Sequence, residues 1–457
     1  MNSNNDTICA VSTPAGVGGI AVIRVSGPDA VGIVNSVWQG KDLTQCQSHT
    51  AHLGHILDVD GLPLDQCVVT VFRAPKSFTG DDVVEISVHG SRYVQRQLLV
   101  VLVSKGARLA EAGEFTRRAF TSGHMDLAEA EAVADVISSS SRAAHRIALN
   151  QMRGTYSQRL ATLRERLVEL TSLLELELDF SEEEVEFASR KQLVAIAGDI
   201  KTELQRLTKS FAAGSAIKDG IPVAIVGATN AGKSSLLNRI IGDERAIVSD
   251  IHGTTRDTIE ETIELGDYTF RFIDTAGLRN TNDTIEQIGI DRSMAAARKA
   301  MIVIFVADST EAIDVSLLRK ILEVNPQAHT VIALNKIDLD GAGKASADEC
   351  PNLPVVKIST LSFDGISPLI SFLISYAEKN LDVDQNEILV TNMRHYQALT
   401  HALESINRVI DGLDSQLPGD LIAQDLRDTI YHISAITGTI TTTEILSTIF
   451  SRFCIGK

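Results

Sequence analysis

The sequence predicts a multidomain protein of mixed α+β and α/β class: an N-terminal α+β domain, a discontinuous helical domain, and an inserted α/β domain with a mainly parallel sheet. Three observations carry the prediction. At 457 residues the chain is too long for one hydrophobic core and implies about three domains. Its texture changes from short β-branched runs to long helical periodicity near residue 120. Between two helical blocks lies a stretch that alternates strand and helix, as a parallel sheet requires.

Residues 1–120 hold the runs Ala21–Val25, Cys67–Phe72 and Asp82–Val88, separated by Gly/Pro turns, with a helical stretch at Tyr93–Lys105. Residues 121–215 form the first helical segment. Leu127–Ile137 and Leu160–Leu178 carry apolar residues three and four apart with few breakers. The acidic run Glu182–Glu186 reads as a solvated helix start, where carboxylates suit the positive end of the helix dipole. Residues 216–380 are the alternating α/β unit, and residues 381–457 return to helical texture, Asn392–Phe453. Two helical blocks around one α/β unit imply an insertion. There is no internal repeat and no low-complexity tract.

With 44% hydrophobic and 22% charged residues the chain reads as an ordinary globular protein. Met1–Asp6 lacks the basic and apolar regions of a signal peptide, and no apolar run is long enough to span a bilayer, so the expected place is the cytoplasm, with no membrane partner. Five scattered cysteines without a CxxC pair argue against a disulfide framework and a zinc site. A net charge of −17 disfavours bulk attraction to nucleic acid, so any RNA contact must be local or helped by a partner.

Inside the α/β unit the apolar strand Ile221–Val226 runs into Gly227-Ala-Thr-Asn-Ala-Gly-Lys-Ser234 and then a helix, which is GxxxxGK[ST] in its required context. Glycines let the backbone N–H groups of Asn230, Ala231, Gly232, Lys233, Ser234 and Ser235 turn toward phosphates at a helix N-terminus. Lys233 is expected at the β- and γ-phosphates and the Ser234 hydroxyl on Mg²⁺. Asp274-Thr275-Ala276-Gly277 follows a strand, with Asp274 toward Mg²⁺ and the Gly277 N–H toward the γ-phosphate. Asn335-Lys336-Ile-Asp338 follows another strand. Asp338 can accept from both guanine N1–H and the exocyclic amine, a pair adenine does not offer. Ser359 and Thr360 fall where the last base-contacting loop belongs. Between the P-loop and Asp274 lies Ser249–Asp257, in which Thr255 is the candidate for a second hydroxyl on Mg²⁺. The sequence therefore predicts a domain that binds and hydrolyses GTP. Leu278 occupies the place that holds a water-orienting Gln in Ras-type GTPases, so other groups must complete the site.

Taken together, GATNAGKSS, DIHGTTRD, DTAGLR and NKID resemble the TrmE–Era–septin branch of GTPases. Gly113–Phe120, Met125–Ala132 and the terminus Phe453-Cys-Ile-Gly-Lys457 narrow the resemblance to the bacterial MnmE (TrmE) family, across essentially the whole chain. The resemblance implies a folate-binding and dimerising N-terminal domain, a helical domain from two segments, and an inserted GTPase domain. It also implies a homodimer working with the FAD-dependent MnmG. The pair adds an aminomethyl-type group (carboxymethylaminomethyl) to carbon 5 of the wobble uridine of certain tRNAs, with a one-carbon unit from a tetrahydrofolate such as 5-formyltetrahydrofolate.

The resemblance further implies a K⁺ ion held by Asn230 and by Ser249, Ile251 and Thr254. It makes Glu286 the residue that orients the attacking water, and places GTP contacts also at Ser249, Thr254 and Thr275. Without it, Glu286 reads as an exposed carboxylate at a helix start. Arg24, Glu85 and Lys457 match folate-contacting positions, although Arg24 at a strand centre also reads as a salt-bridged residue. His124 stands where the family commonly has Lys or Arg, leaving a weaker, pH-dependent positive charge. Cys454 reads equally as a thiol near the folate or as an inert one. A rival reading is an assembly GTPase of the same branch. Such proteins carry a Lys- and Gly-rich RNA-binding module after the GTPase domain, whereas here Asp382–Phe453 is an acidic-to-neutral helical block.

Overall fold

The structure, a computed structural model, describes residues 6–179, 190–243, 260–273, 286–339, 353–362, 365–381, 388–451, 453 and 456. The chain falls into two units, one made of Met1–Ala134, Gln151–Ala197 and Ser405–Lys457, the other of Asp135–Asn150 and Gly198–Glu404.

In the first unit, period-2 alternation builds a seven-stranded sheet in the order β3-β4-β5-β6-β2-β1-β7. The strands are β1 (Ile8–Val11), β2 (Gly18–Ser26), β3 (Trp38–Gln39), β4 (Thr50–Leu57), β5 (Pro63–Phe72), β6 (Val83–Gly90) and β7 (Arg108–Leu109). All pairs are antiparallel except β1 with β7. Ala21, Ile23 and Val25 of β2 and Val84, Ile86 and Val88 of β6 turn to one face and are buried with Leu98, Val101 and Leu102 of the helix Arg92–Ser104. The intervening residues, Arg24 and Glu85 among them, project to the other face. That helix starts where Ser91 Oγ accepts from the Tyr93 N–H.

The same unit holds the helices Thr155–Asp179 and Gly419–Thr437, which pack together. Leu160, Leu163, Leu167, Leu170 and Leu174 are buried along the first, the three- and four-residue spacing read in the sequence. The C-terminal helix Thr443–Phe450 lies on the helix Glu114–Thr121 and buries Phe450 with Leu127 and Ala130.

The second unit carries a six-stranded sheet in the order β13-β12-β11-β8-β10-β9. Its strands are β8 (Ile221–Gly227), β9 (Glu261–Leu265), β10 (Tyr268–Phe272), β11 (Ile302–Asp308), β12 (His329–Asn335) and β13 (Val355–Lys357). Neighbours are parallel except the β9–β10 hairpin at one edge. Strands covered by helices on both faces must be apolar throughout, and Ile302 to Ala307 are buried without a break. Ile302, Ile304 and Val306 join one core, Val303, Phe305 and Ala307 the other. The mainly parallel α/β sheet and the N-terminal α+β sheet of the sequence reading are both present. Among the described residues no helix is long and apolar enough to cross a membrane.

Candidate nucleotide site and a second polar cluster

β8 ends in a loop whose backbone only glycine fits at two points. Gly227 has φ +147° and a Cβ there would overlap the Val306 carbonyl oxygen on β11. Gly232 has φ +98° and a Cβ there would overlap Nδ2 of Asn335. Asn230, exposed at the tip, also has a positive φ, 64°. The helix Lys233–Asp243 begins at once, with the Leu236 N–H closing on Gly232 O at 2.8 Å, so Ser234 and Ser235 lie in its first turn. The result is a row of turned-in N–H groups at the positive end of a helix, suited to phosphate oxygens. Lys233 folds back over the loop, Nζ donating to Gly227 O (2.9 Å) and Ala228 O (2.7 Å), and burial pushes its ammonium below the usual lysine value.

Two more strand ends meet this loop. Asn335, buried at the end of β12, donates from Nδ2 to Ala231 O (2.9 Å) and accepts from the Thr360 N–H (3.3 Å). Asp338 is exposed and is held by the Ser359 hydroxyl, which donates to its Oδ1 at 2.5 Å. Ser359 Oγ in turn lies 3.3 Å from the N–H groups of Leu361 and Ser362. Asn230, Ala231, Gly232, Lys233, Ser234, Ser235, Asn335, Lys336, Asp338, Ser359 and Thr360 are thus brought to the same edge of the sheet, the carboxyl ends of β8, β12 and β13, where α/β folds take their ligands. Sequence reasoning missed Asp308, which closes β11 and pairs with Lys336 Nζ at 2.6 Å. Burial alone would raise its carboxyl, but bonds from Lys336 and Thr310 outweigh that and hold it below the usual range.

Ser249, Ile251, Thr254, Thr255, Asp274, Thr275, Ala276, Gly277 and Lys457 lie outside the described residues, as do Leu278 and Cys454. Glu286 opens the helix Glu286–Lys299, and its side chain is likewise outside the described set. For Mg²⁺, the hydroxyl-bearing Ser234 beside a glycine cradle fits a metal shared with phosphates.

In the first unit, Arg24 and Glu85 sit opposite each other across β2 and β6. Arg24 is salt-bridged to Glu85, with its guanidinium 5.1 Å from the Phe78 ring centre and 5.6 Å from that of Phe115. Neither aromatic was singled out by sequence, because both lie far along the chain. His124 hydrogen-bonds from Nε2 to Pro75 O (2.7 Å) and through Nδ1 with Ser122 Oγ (3.1 Å), which ties the stretch 75–79 that carries Phe78. Gly456, next to the chain end, accepts from Ser12 Oγ at 3.1 Å, just beyond β1. Gly456 therefore lies beside the sheet that carries Arg24.

A family model of the MnmE helical domain matches residues 127–454, and one for the N-terminus of the GTP-binding protein TrmE matches 7–124. A tRNA modification GTPase MnmE of Parabacteroides distasonis is 48% identical over 460 residues, covering 99% of this chain and 100% of that protein. Its namesake in Cytophaga hutchinsonii is 47% identical over 459 residues, 100% of this chain and 99% of that one. The chain belongs to the MnmE family of tRNA modification GTPases. Among solved structures, the G domain of the T. maritima FeoB iron transporter aligns at 27% identity with a TM-score of 0.26, covering 34% of this chain and 98% of that one. The glycine cradle, Asn335 and Asp338 lie together at the carboxyl edge of the second unit's sheet. Among the described residues no group of three or more His, Cys, Asp or Glu side chains is placed to hold a metal ion.

Proposed function

We propose that this chain hydrolyses GTP, with potassium stimulation, in the service of tRNA modification. In this reading it acts in the cytoplasm as a homodimer with an FAD-dependent MnmG. Together they place a carboxymethylaminomethyl-type group on carbon 5 of a wobble uridine, using a tetrahydrofolate one-carbon unit. Residues 1–120 carry folate binding and dimerisation, 216–380 the GTPase, and 121–215 with 381–457 the helical domain. The observation that carries the GTP reading is the exposed Asp338 carboxylate, oriented by Ser359 at the same edge as the phosphate cradle.

Each residue then has a task. The P-loop N–H groups and Lys233 bind the β- and γ-phosphates, and Asp338 selects guanine while Asn335 and Thr360 hold its loop against the P-loop. Ser234 and Thr255, with Asp274 directly or through water, would hold Mg²⁺, which supplies charge neutralisation at the phosphates. Asn230, Ser249, Ile251 and Thr254 would hold K⁺. Glu286 orients the attacking water in place of the absent Gln. On the N-terminal sheet, Arg24, lying against Phe78 and Phe115, and Glu85 would take the folate together with His124 and Lys457.

Two measurements test the whole. Purified protein should hydrolyse GTP and leave ATP untouched. A deletion strain should lose the wobble-uridine side chain from its tRNA nucleoside profile. An unchanged profile would remove the tRNA role, and ATP turnover at the GTP rate would remove the nucleotide assignment.

A further inference from the structure

The loop that carries Asp338 is held at three points, and the sequence motifs account for only two of them. Asn335 is tied beneath the P-loop by its bond to Ala231 O, and Asp338 is held by Ser359. Between them Lys336 has φ +65°, a backbone that L side chains rarely adopt without restraint from their surroundings. The restraint on its side chain is Asp308. This residue lies level with Asn335 in the parallel pairing of β11 and β12, and its Oδ2 accepts from Lys336 Nζ at 2.6 Å. The Asp308 side chain, 13% exposed, cannot swing freely. Its other oxygen accepts from the Thr310 N–H (2.9 Å) and Oγ1 (2.7 Å), and the Ser309 N–H donates to Asn335 O at 2.9 Å. The two strand ends are thereby joined at one spot, with a single carboxylate linking the turn after β11 to the loop after β12.

We propose that Asp308 is a positioning residue for guanine recognition, fixing Lys336 and with it the course of the loop that presents Asp338 to the base. The inference rests on the guanine-nucleotide reading above and adds to it a residue outside the NKID motif. Preorganisation matters most to the contact with the strictest geometry, which is two-point acceptance by Asp338. A loosened loop keeps what the phosphate cradle contributes and loses preference for guanine over hypoxanthine, which lacks the exocyclic amine. GTP and GDP share the same base, so both should weaken by the same factor.

The test uses the full-length protein, with affinities for GDP, GTP and IDP and a melting temperature, for wild type, Asp308→Ala and Asp308→Asn. The Asn variant retains an acceptor for Thr310 and turns the charged acceptor that faces Lys336 into an amide N–H donor. Both variants should bind GDP and GTP roughly tenfold more weakly, the scale of one charge-assisted hydrogen bond. Their GDP-over-IDP preference should fall by a similar factor, with turnover at saturating GTP little changed. Unaltered GDP-over-IDP preference in both variants overturns the proposal. So does an equal loss for GDP and IDP that tracks a drop in melting temperature, the mark of a residue that merely holds strand ends together. A wild-type protein that bound GDP and IDP alike would instead remove the guanine reading on which the inference stands.

Discussion

Arg24 and Glu85 face each other in register across β2 and β6, and Arg24 spends both Nε and Nη2 on a single oxygen, Oε1 of Glu85, at 3.0 and 2.8 Å. Among the described residues, Arg24 Nη1 and Glu85 Oε2 make no hydrogen bond. A donor and an acceptor thus stand side by side on a sheet face, with the Phe78 and Phe115 rings against the guanidinium. Flat heteroaromatic rings with both N–H and carbonyl groups suit such a pair.

Arg24→Ala should therefore abolish binding of 5-formyltetrahydrofolate while leaving GTP affinity intact, since the proposed GTP site is built from residues of the other unit. Glu85→Ala should weaken folate binding by at least about tenfold, because it strands the Arg24 charge and removes the free acceptor. Calorimetry on each variant reads both ligands. Normal folate affinity in Arg24→Ala would count against this pocket.

The residues gathered at the carboxyl edge of the second sheet were legible in sequence because they belong to short local strings. A phosphate cradle needs particular glycines in one loop, and Asn335, Asp338 and Ser359 sit at or just after strand ends that hydrophobic patterning already marks. What sequence did not disclose is long-range. Asp308 meets Lys336 from a neighbouring strand, and Phe78 and Phe115 reach Arg24 from a loop and a helix. The pairing of Glu114 with Arg108 and Arg118 was equally hidden, since nothing local to Gly113–Phe120 says which way those side chains turn. The salt-bridged reading of Arg24 and its assignment to a ligand pocket are not rivals, because the bridge leaves polar atoms over.

Base selection has its own test. Asp338→Asn should weaken GTP binding strongly and raise relative affinity for xanthosine nucleotides, whose C2 oxygen suits an amide donor. Ser359→Ala should weaken GTP by about tenfold and lower the preference for guanine over hypoxanthine with it, because it frees Asp338 without altering its chemistry. Nucleotide titrations that leave GTP preference intact in Asp338→Asn would overturn the assignment.

Acid stability of the first unit should report on Glu114. Its carboxylate is buried, takes two bonds from Arg108 at 2.6 and 3.0 Å and one from the Glu111 N–H at 2.8 Å. Burial would raise this group, but the Arg108 and Glu111 bonds and the Arg108 and Arg118 charges outweigh it and set it below its ordinary value of 4.5. Asp6 is lowered from 3.8, chiefly by its bond to Arg108. A carboxylate with a depressed folded value stabilises fully above its unfolded value, and the stabilisation is lost as pH falls through the folded one. Asp81, raised by burial, works in the opposite sense. Glu114→Gln should cost about 3 kcal/mol near neutral pH, the scale for breaking a buried pair. The gap to wild type should close as pH drops below about 4.5. Urea melts across that range decide it, and a gap that stays constant with pH would remove ionised Glu114 as the cause.

The last prediction concerns how a GTPase without the usual Gln hydrolyses GTP. Leu278 occupies that place, and an apolar side chain can neither orient water nor offset developing charge. The transition state for phosphoryl transfer spreads negative charge that some positive group must meet, a task an arginine finger performs elsewhere. Potassium held by Asn230, at the exposed tip of the P-loop, and by the stretch Ser249–Thr254 would supply that charge. Pairing of two GTPase domains would complete the cation cage, and Glu286 would orient the water. Turnover should then be much faster in potassium than in sodium, because the smaller ion fits a potassium-sized cage poorly. Glu286→Ala should lower turnover by a factor on the order of 10²–10⁴, the range for a positioned base, with little loss of GTP affinity. Asn230→Ala should flatten the cation dependence while keeping the slow basal rate. Equal rates in the two salts, together with a fully active Glu286→Ala variant, would sink the mechanism and return Glu286 to the role of a helix-start carboxylate.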